Sequence, residues 1–138
     1  MEQNRIWIVL NFLCLITIII FFYIARHFQW PLLMIIIEIA LILLFILSFL
    51  NAFIKTKFWN LVHSSEKKLD EREILVVLKS LKLSYSIFTI VCLIIIYGFA
   101  IAERGPVDVL IAGTLLYLAH TIPAAIVGWN EILIERKS

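Results

Sequence analysis

The sequence is poor in charge and in the residues that usually carry catalytic or metal chemistry. Among its 138 residues 16% are charged, and it has four glycines, three histidines and two cysteines. Cys14 and Cys92 lie far apart in apolar stretches, which excludes a CxxC redox pair, a zinc site and a disulfide framework. There is no Gly-rich phosphate loop and no serine in a GxSxG motif. We therefore expect no catalytic residue, no cofactor and no metal ion.

Apolar residues make up 63% of the chain, and the mean hydropathy is +1.04. A soluble domain is nearer half apolar, so a fold surrounded by water could not hide this much apolar surface. Lipid must cover much of it. The net charge of +2 is too mild to indicate a nucleic-acid partner. We predict an all-α polytopic membrane protein, with residues 1–138 forming a single membrane domain.

Four apolar runs of about 20 residues or more occupy residues 6–25, 31–54, 83–102 and 107–128. A helix of that length crosses ~30 Å of hydrocarbon at 1.5 Å per residue. The first run lacks a small-residue cleavage site, so we interpret it as a retained helix. Pro31 suits the first turn of the second helix. Because the connections 26–30 and 103–106 are short, we predict an antiparallel four-transmembrane-helix bundle in which spans one and two pair, as do spans three and four.

The lysines and arginines are distributed unequally about these spans. One side holds Arg5, Lys55, Lys57, Lys67, Lys68, Arg72, Lys79, Lys82, Arg136 and Lys137. The other side holds Arg26 and Arg104, which makes 10 against 2 of the 12 basic residues. By the positive-inside rule, we predict a multi-pass protein of the cell membrane with both termini and the 55–82 loop in the cytoplasm.

The first part of the 55–82 loop mixes lysines with apolar rings. Lys55 and Lys57 are followed by Phe58 and Trp59, a composition typical of a segment at the headgroup level of a membrane. We interpret Lys55, Lys57 and Trp59 as candidate contacts for lipid or for a partner.

The second part of the loop predicts a helix that continues into the third span. Ser64 and Ser65 offer an N-cap, and Glu66 suits a first helical turn. Nothing then breaks a helix until Gly98. We expect this helix to extend several turns into the cytoplasm, either as a solvated extension or as a docking site for a partner. Its candidate contact residues are Lys67, Lys68 and Arg72.

Glu38 and His120 are the ionisable residues inside the spans, where a charge costs about 2.5–3.5 kcal/mol on insertion scales. Counting residues from the span centres places Glu38 about 7.5 Å outward of the midplane and His120 about 4.5 Å inward. We predict an outer polar layer of Glu38 with Tyr97 and Thr114, and an inner layer of His120 with Asn11, Thr89 or Ser48. One interpretation is that these layers handle protons or cations, or form a ligand pocket between helices. The other is that their hydrogen bonds fix the register of the helices, with Glu38 in its protonated form. We predict no direct Glu38–His120 ion pair.

Pro123 makes the segment 120–123 chemically unusual. It lacks the N–H group that would bond the carbonyl of Ala119, and it can kink the helix at that point. Thr121 is the nearby side chain that could bond the freed backbone group.

Two functions fit these features. The first is an accessory, regulatory or partner-binding membrane protein, which contacts a partner or a second copy through the 55–82 loop or through helix faces. The faces that allow close packing are Ala124-xxx-Gly128 and Gly98-xxx-Ala102. The alternative is a small oligomeric proton-coupled transporter that uses Glu38, His120 or both.

The transporter alternative has a resemblance in outline. Four helices with one membrane glutamate resemble the small multidrug resistance exporters. In that family the key glutamate lies in the first helix, whereas Glu38 lies in the second, and several members have a balanced charge that this chain lacks. No residue role is therefore transferred from the family.

The charge distribution makes a prediction about topology. A reporter fused after Ser138 is expected to be active in the cytoplasm, because ten of the twelve basic residues lie on the side that carries the C-terminus. Activity of that fusion outside the cell would contradict the predicted orientation.

Overall fold

The computed structural model describes residues 2–65, 69–102 and 107–135, and every element in them is a helix. The helices are α1 (Glu2–His27), α2 (Leu32–Phe49), α3 (Phe58–His63), α4 (Glu71–Ile101) and α5 (Val109–Glu135). A π-helical turn, Leu50–Ile54, continues α2. The four stretches long and apolar enough to cross a membrane are Gln3–His27, Leu32–Ile54, Glu71–Ile101 and Val109–Asn130. The number of spans predicted from the sequence is confirmed.

The chain divides into two compact units, residues 1–56 and 57–138. In the first unit α1 packs against α2, and in the second α4 packs against α5, with α3 lying on α5. The predicted pairing of the first span with the second, and of the third with the fourth, is thus confirmed.

Helices α1 and α2 contact each other near both ends of the pair, through different side chains. At one end the side chain of Asn11 reaches Ser48. At the other end the rings of Phe22 and Trp30 meet edge to face with centroids 5.0 Å apart. Residues early in α1 therefore meet residues late in α2, and the two helices run antiparallel.

The connection between α1 and α2 contains no glycine, although it uses left-handed backbone. Gln29 and Trp30 have φ of 58° and 57°, and the N–H of Trp30 bonds the carbonyl of Ala25 at 2.9 Å. Pro31 lies immediately before α2 as its N-cap, with φ −61° and ψ 146°. The expectation that Pro31 occupies the first helical turn is wrong by one residue, because its extended ψ is the entry to the helix.

The π turn after α2 is a feature that the sequence did not indicate. The N–H of Lys55 bonds the carbonyl of Leu50, five residues earlier, at 3.0 Å. Ala52 and Phe53 within this turn are fully buried. The widened turn therefore places both side chains inside the first unit.

The start of α4 corrects the sequence interpretation. Ser64 has extended backbone and ends α3, so Ser64 and Ser65 do not cap the long helix. Asp70 does: its carboxylate accepts the N–H of Glu73 at 2.7 Å, and the carboxylate of Glu73 accepts the N–H of Asp70 at 3.0 Å. This reciprocal capping box satisfies two backbone donors at once, which a single serine cannot do.

The prediction of one continuous helix into the third span is confirmed for residues 71–101, where α4 has 31 residues. Glu66, Lys67 and Lys68 lie outside the described residues, as do the connection 103–106 and the basic residues at 136–137. Helix α5 continues to Glu135, beyond the predicted end of the fourth span at residue 128.

Candidate functional site

A polar cluster joins α1 to α2 inside the first unit. The amide of Asn11 donates to the hydroxyl of Ser48 at 3.0 Å and to the carbonyl of Phe45 at 3.3 Å. The Ser48 hydroxyl itself donates to the Phe45 carbonyl at 2.8 Å. Asn11 and Ser48 are fully buried. Residue counting predicts one depth for these two residues, and the structure joins them.

Glu38 is the buried acid of the first unit. It is 7% exposed, and its Oε2 atom is buried without a hydrogen-bond partner among the residues that the structure describes. It is ten residues from Ser48, about 2.8 helical turns, so the two side chains lie about 80° apart around α2. An ionised carboxylate without a partner is costly in such a place. The geometry therefore favours the neutral acid, unless a group outside the described residues bonds this oxygen.

The predicted outer layer joins residues of both units and remains a prediction. Tyr97 is 63% exposed on α4. The hydroxyl of Thr114 donates within its own helix, to the carbonyl of Leu110 at 2.9 Å. Thr89 likewise donates to the carbonyl of Tyr85 at 2.8 Å.

Three stacked rings connect α3 with α5 in the second unit. The rings of Trp59 and His63 have centroids 4.1 Å apart and planes 20° apart. The rings of His63 and His120 follow at 5.9 Å and 6°. From the sequence, His63 is expected in the cytoplasmic 55–82 loop and His120 in the bilayer. The structure brings them together because α3 packs on α5, and no local pattern around either histidine indicated this contact.

Hydrogen bonds assign the tautomers of both histidines. Nδ1 of His63 lies 2.9 Å from the carbonyl of Trp59, and Nδ1 of His120 lies 2.9 Å from the carbonyl of Leu116. A carbonyl can only accept, so Nδ1 carries the proton in each ring. In the neutral form each Nε2 is then left as an acceptor.

A groove lies between α4 and α5 beside Pro123, and we call it the Pro123 groove. Its volume is about 400 Å³. It is lined by Leu81, Ser84, Tyr85 and Phe88 of α4 and by Ala119, Ile122 and Pro123 of α5. Thr121 does not bond the carbonyl that Pro123 frees, because its hydroxyl donates to the carbonyl of Tyr117 at 2.9 Å.

The two small-residue faces differ in the structure. Ala124 and Gly128 are buried, so this face is already covered. Gly98 is exposed, and apart from the backbone of its own helix no described atom lies within 4 Å of the position that a Cβ atom would take there. Of these two faces, the one at Gly98 is thus open to a partner.

The basic residues proposed for lipid or partner contact differ in their surroundings. The Nζ atom of Lys55 donates to Oδ1 of Asn51 at 2.7 Å. Lys57 has a left-handed backbone, with φ 63°, just before α3. Arg72 is exposed in the first turn of α4. Trp59 is committed to the stack with His63.

These features define a class. The chain is an all-helical protein with four helices long and apolar enough to cross a membrane. Among the described residues there is no group of three or more His, Cys, Asp or Glu side chains that could hold a metal ion. Comparison with family models, curated proteins and solved structures gives no match for this chain.

The Asn11–Ser48 bond predicts a measurable coupling. In a double-mutant cycle of Asn11→Ala and Ser48→Ala, unfolding in detergent should show a coupling of roughly 0.6 kcal/mol, typical of a hydrogen bond between membrane helices. Asn51→Ala combined with Ser48→Ala is the control, since Asn51 bonds within its own turn to the carbonyl of Leu47. Additive effects of Asn11→Ala and Ser48→Ala would contradict the role of this bond.

Proposed function

We propose that this chain is a small accessory membrane protein that binds another membrane protein, or a second copy of itself, through an exposed face of α4. It forms a single membrane domain, an antiparallel bundle of four transmembrane helices in the cell membrane, with both termini in the cytoplasm. The length of α4 supports a cytoplasmic extension, since 31 residues measure about 46 Å and the hydrocarbon core is ~30 Å thick.

The observation that carries the proposal is how little of α4 its own unit covers. In an apolar 18-residue stretch of each spanning helix, 6% is buried in α4 and 11% in α2, against 22% in α1 and 28% in α5. Most of the membrane-facing surface of α4 is thus left by α5 to lipid or to other protein surface.

One side of α4 has the composition of a helix-docking face. Its residues are Ile90, Ile94, Tyr97, Gly98 and Ile101, which are all exposed and which we call the α4 stripe. At 100° per residue the stripe lies opposite the side that lines the Pro123 groove. Gly98 allows close approach of a second backbone.

Tyr97 distinguishes a protein partner from lipid. Its hydroxyl has no hydrogen-bond partner among the described residues, and acyl chains offer none. A polar side chain of a docked helix would supply one.

The α4 stripe can be tested by photocrosslinking in intact membranes. A photoreactive phenylalanine analogue at Ile94 should give a protein adduct of discrete mass, and Tyr97→Phe should lower its yield roughly threefold, the effect of one hydrogen bond between membrane helices.

Two controls accompany that experiment. Tyr85→Phe removes the same hydroxyl from the groove side of α4 and should leave the yield unchanged. The analogue placed at Ser84, which is buried, should give no adduct with another protein. Lipid adducts alone from position 94 would refute docking through this face.

A second candidate function, a proton-coupled transporter, is supported by Glu38. Its Oε2 atom is buried without a hydrogen-bond partner among the described residues. Proton and cation pathways use intramembrane acids of this kind. His120 supplies a second titratable group, with Nε2 available.

The transporter candidate is tested by uptake driven by a pH gradient into vesicles that contain the purified protein. Glu38→Gln keeps the shape of the side chain but cannot release a proton, and it should reduce uptake to background, with His120→Ala as the second variant. Glu71→Gln, an exposed acid at the start of α4, is the control. Unchanged uptake in a folded Glu38→Gln variant would exclude Glu38 from transport.

A further inference from the structure

The Pro123 groove has the size and walls of a ligand site. Its volume of about 400 Å³ falls within the usual 300–1,000 Å³ of small-molecule sites. Leu81, Phe88 and Ile122 make its walls apolar. Because it lies between two membrane-spanning helices, the molecules that reach it most readily are those of the bilayer.

Polar groups of both helices also line the groove. Pro123 has no N–H, so the carbonyl of Ala119 lacks its usual helical donor, and both residues line the groove. Across from them is Tyr85, 75% exposed, with a phenol that can donate. The Ser84 hydroxyl already donates to the carbonyl of Leu81 at 2.9 Å. The groove therefore offers an acceptor and a donor beside apolar walls.

The charge next to the groove is positive. Lys82, which is exposed, follows the lining residue Leu81 and precedes the lining residue Tyr85 by three positions. Lys79 is also exposed, but it lies about 160° around α4 from Leu81, on the side away from the groove. No aspartate or glutamate occurs between Glu73 and Ala102 on the α4 side, or between Asp108 and Asn130 on the α5 side. Lysines at such a position attract the phosphate of an anionic lipid.

We propose that the Pro123 groove binds one anionic phospholipid. An acyl chain lies against Leu81, Phe88 and Ile122, and the phosphate is held by Lys82. This site lies on the opposite side of α4 from the α4 stripe and does not depend on the accessory role.

The test uses the purified full-length chain and native mass spectrometry. The protein is equilibrated with mixed micelles of equimolar phosphatidylglycerol and phosphatidylcholine, and the retained lipid is identified. Retention of one phosphatidylglycerol in preference to phosphatidylcholine is expected. Lys82→Gln should reduce the preference roughly fivefold, the effect of one lysine near an anionic lipid. Lys79→Gln removes the same charge from the side of α4 away from the groove and should keep the preference.

A large side chain that fills the groove distinguishes lipid bound in this site from lipid bound elsewhere on the protein surface. Ala119→Phe should abolish retention, while Ala112→Phe, the same change two turns away on the exposed surface of α5, should not. Circular dichroism reports folding, and the Lys82→Gln result stands if Ala119→Phe does not fold. Equal retention of the two lipids by the unaltered protein, or by Ala119→Phe and Ala112→Phe, would overturn the proposal.

Discussion

Hydrogen bonding of the backbone without water is the constraint on which the rest of this structure depends. In hydrocarbon each peptide group must find its partner within the chain, and a helix is the local solution. Threonine side chains in the spans follow the same constraint by donating to the carbonyl four residues earlier. They do so at Thr17, Thr89, Thr114 and Thr121. These hydroxyls are satisfied locally and leave the helix faces apolar.

The places where this local solution fails are the places with functional potential. Asn11 of α1 donates a hydrogen bond to Ser48 of α2. Glu38 keeps one carboxyl oxygen without a hydrogen-bond partner. Pro123 removes a donor from the interior of α5, and a groove lies against that position. Each is a polar group whose partner must come from tertiary structure, from a ligand or from another chain.

The two spanning helices of the second unit distribute their buried surface differently. In α5, Thr121, Ile122, Ala124 and Val127 make one buried segment, so the small Ala124-xxx-Gly128 face serves packing within the chain. The Gly98 face of α4 has no such cover. A small-residue pattern is the same in both places, and only its surroundings decide whether it serves the fold or a partner.

Run length and composition determined the helical class, the number of spans and their pairing, because ~20 apolar residues with short connections leave few alternatives. Ser64 and Ser65 are good N-cap residues by type, but the spacing of Asp70 and Glu73 in the sequence already matches a capping box. The stack of His63 on His120, the π turn after α2 and the Pro123 groove were decided by tertiary structure alone. Residues 63 and 120 are 57 positions apart, and their contact depends on how α3 packs against α5, which no local periodicity encodes.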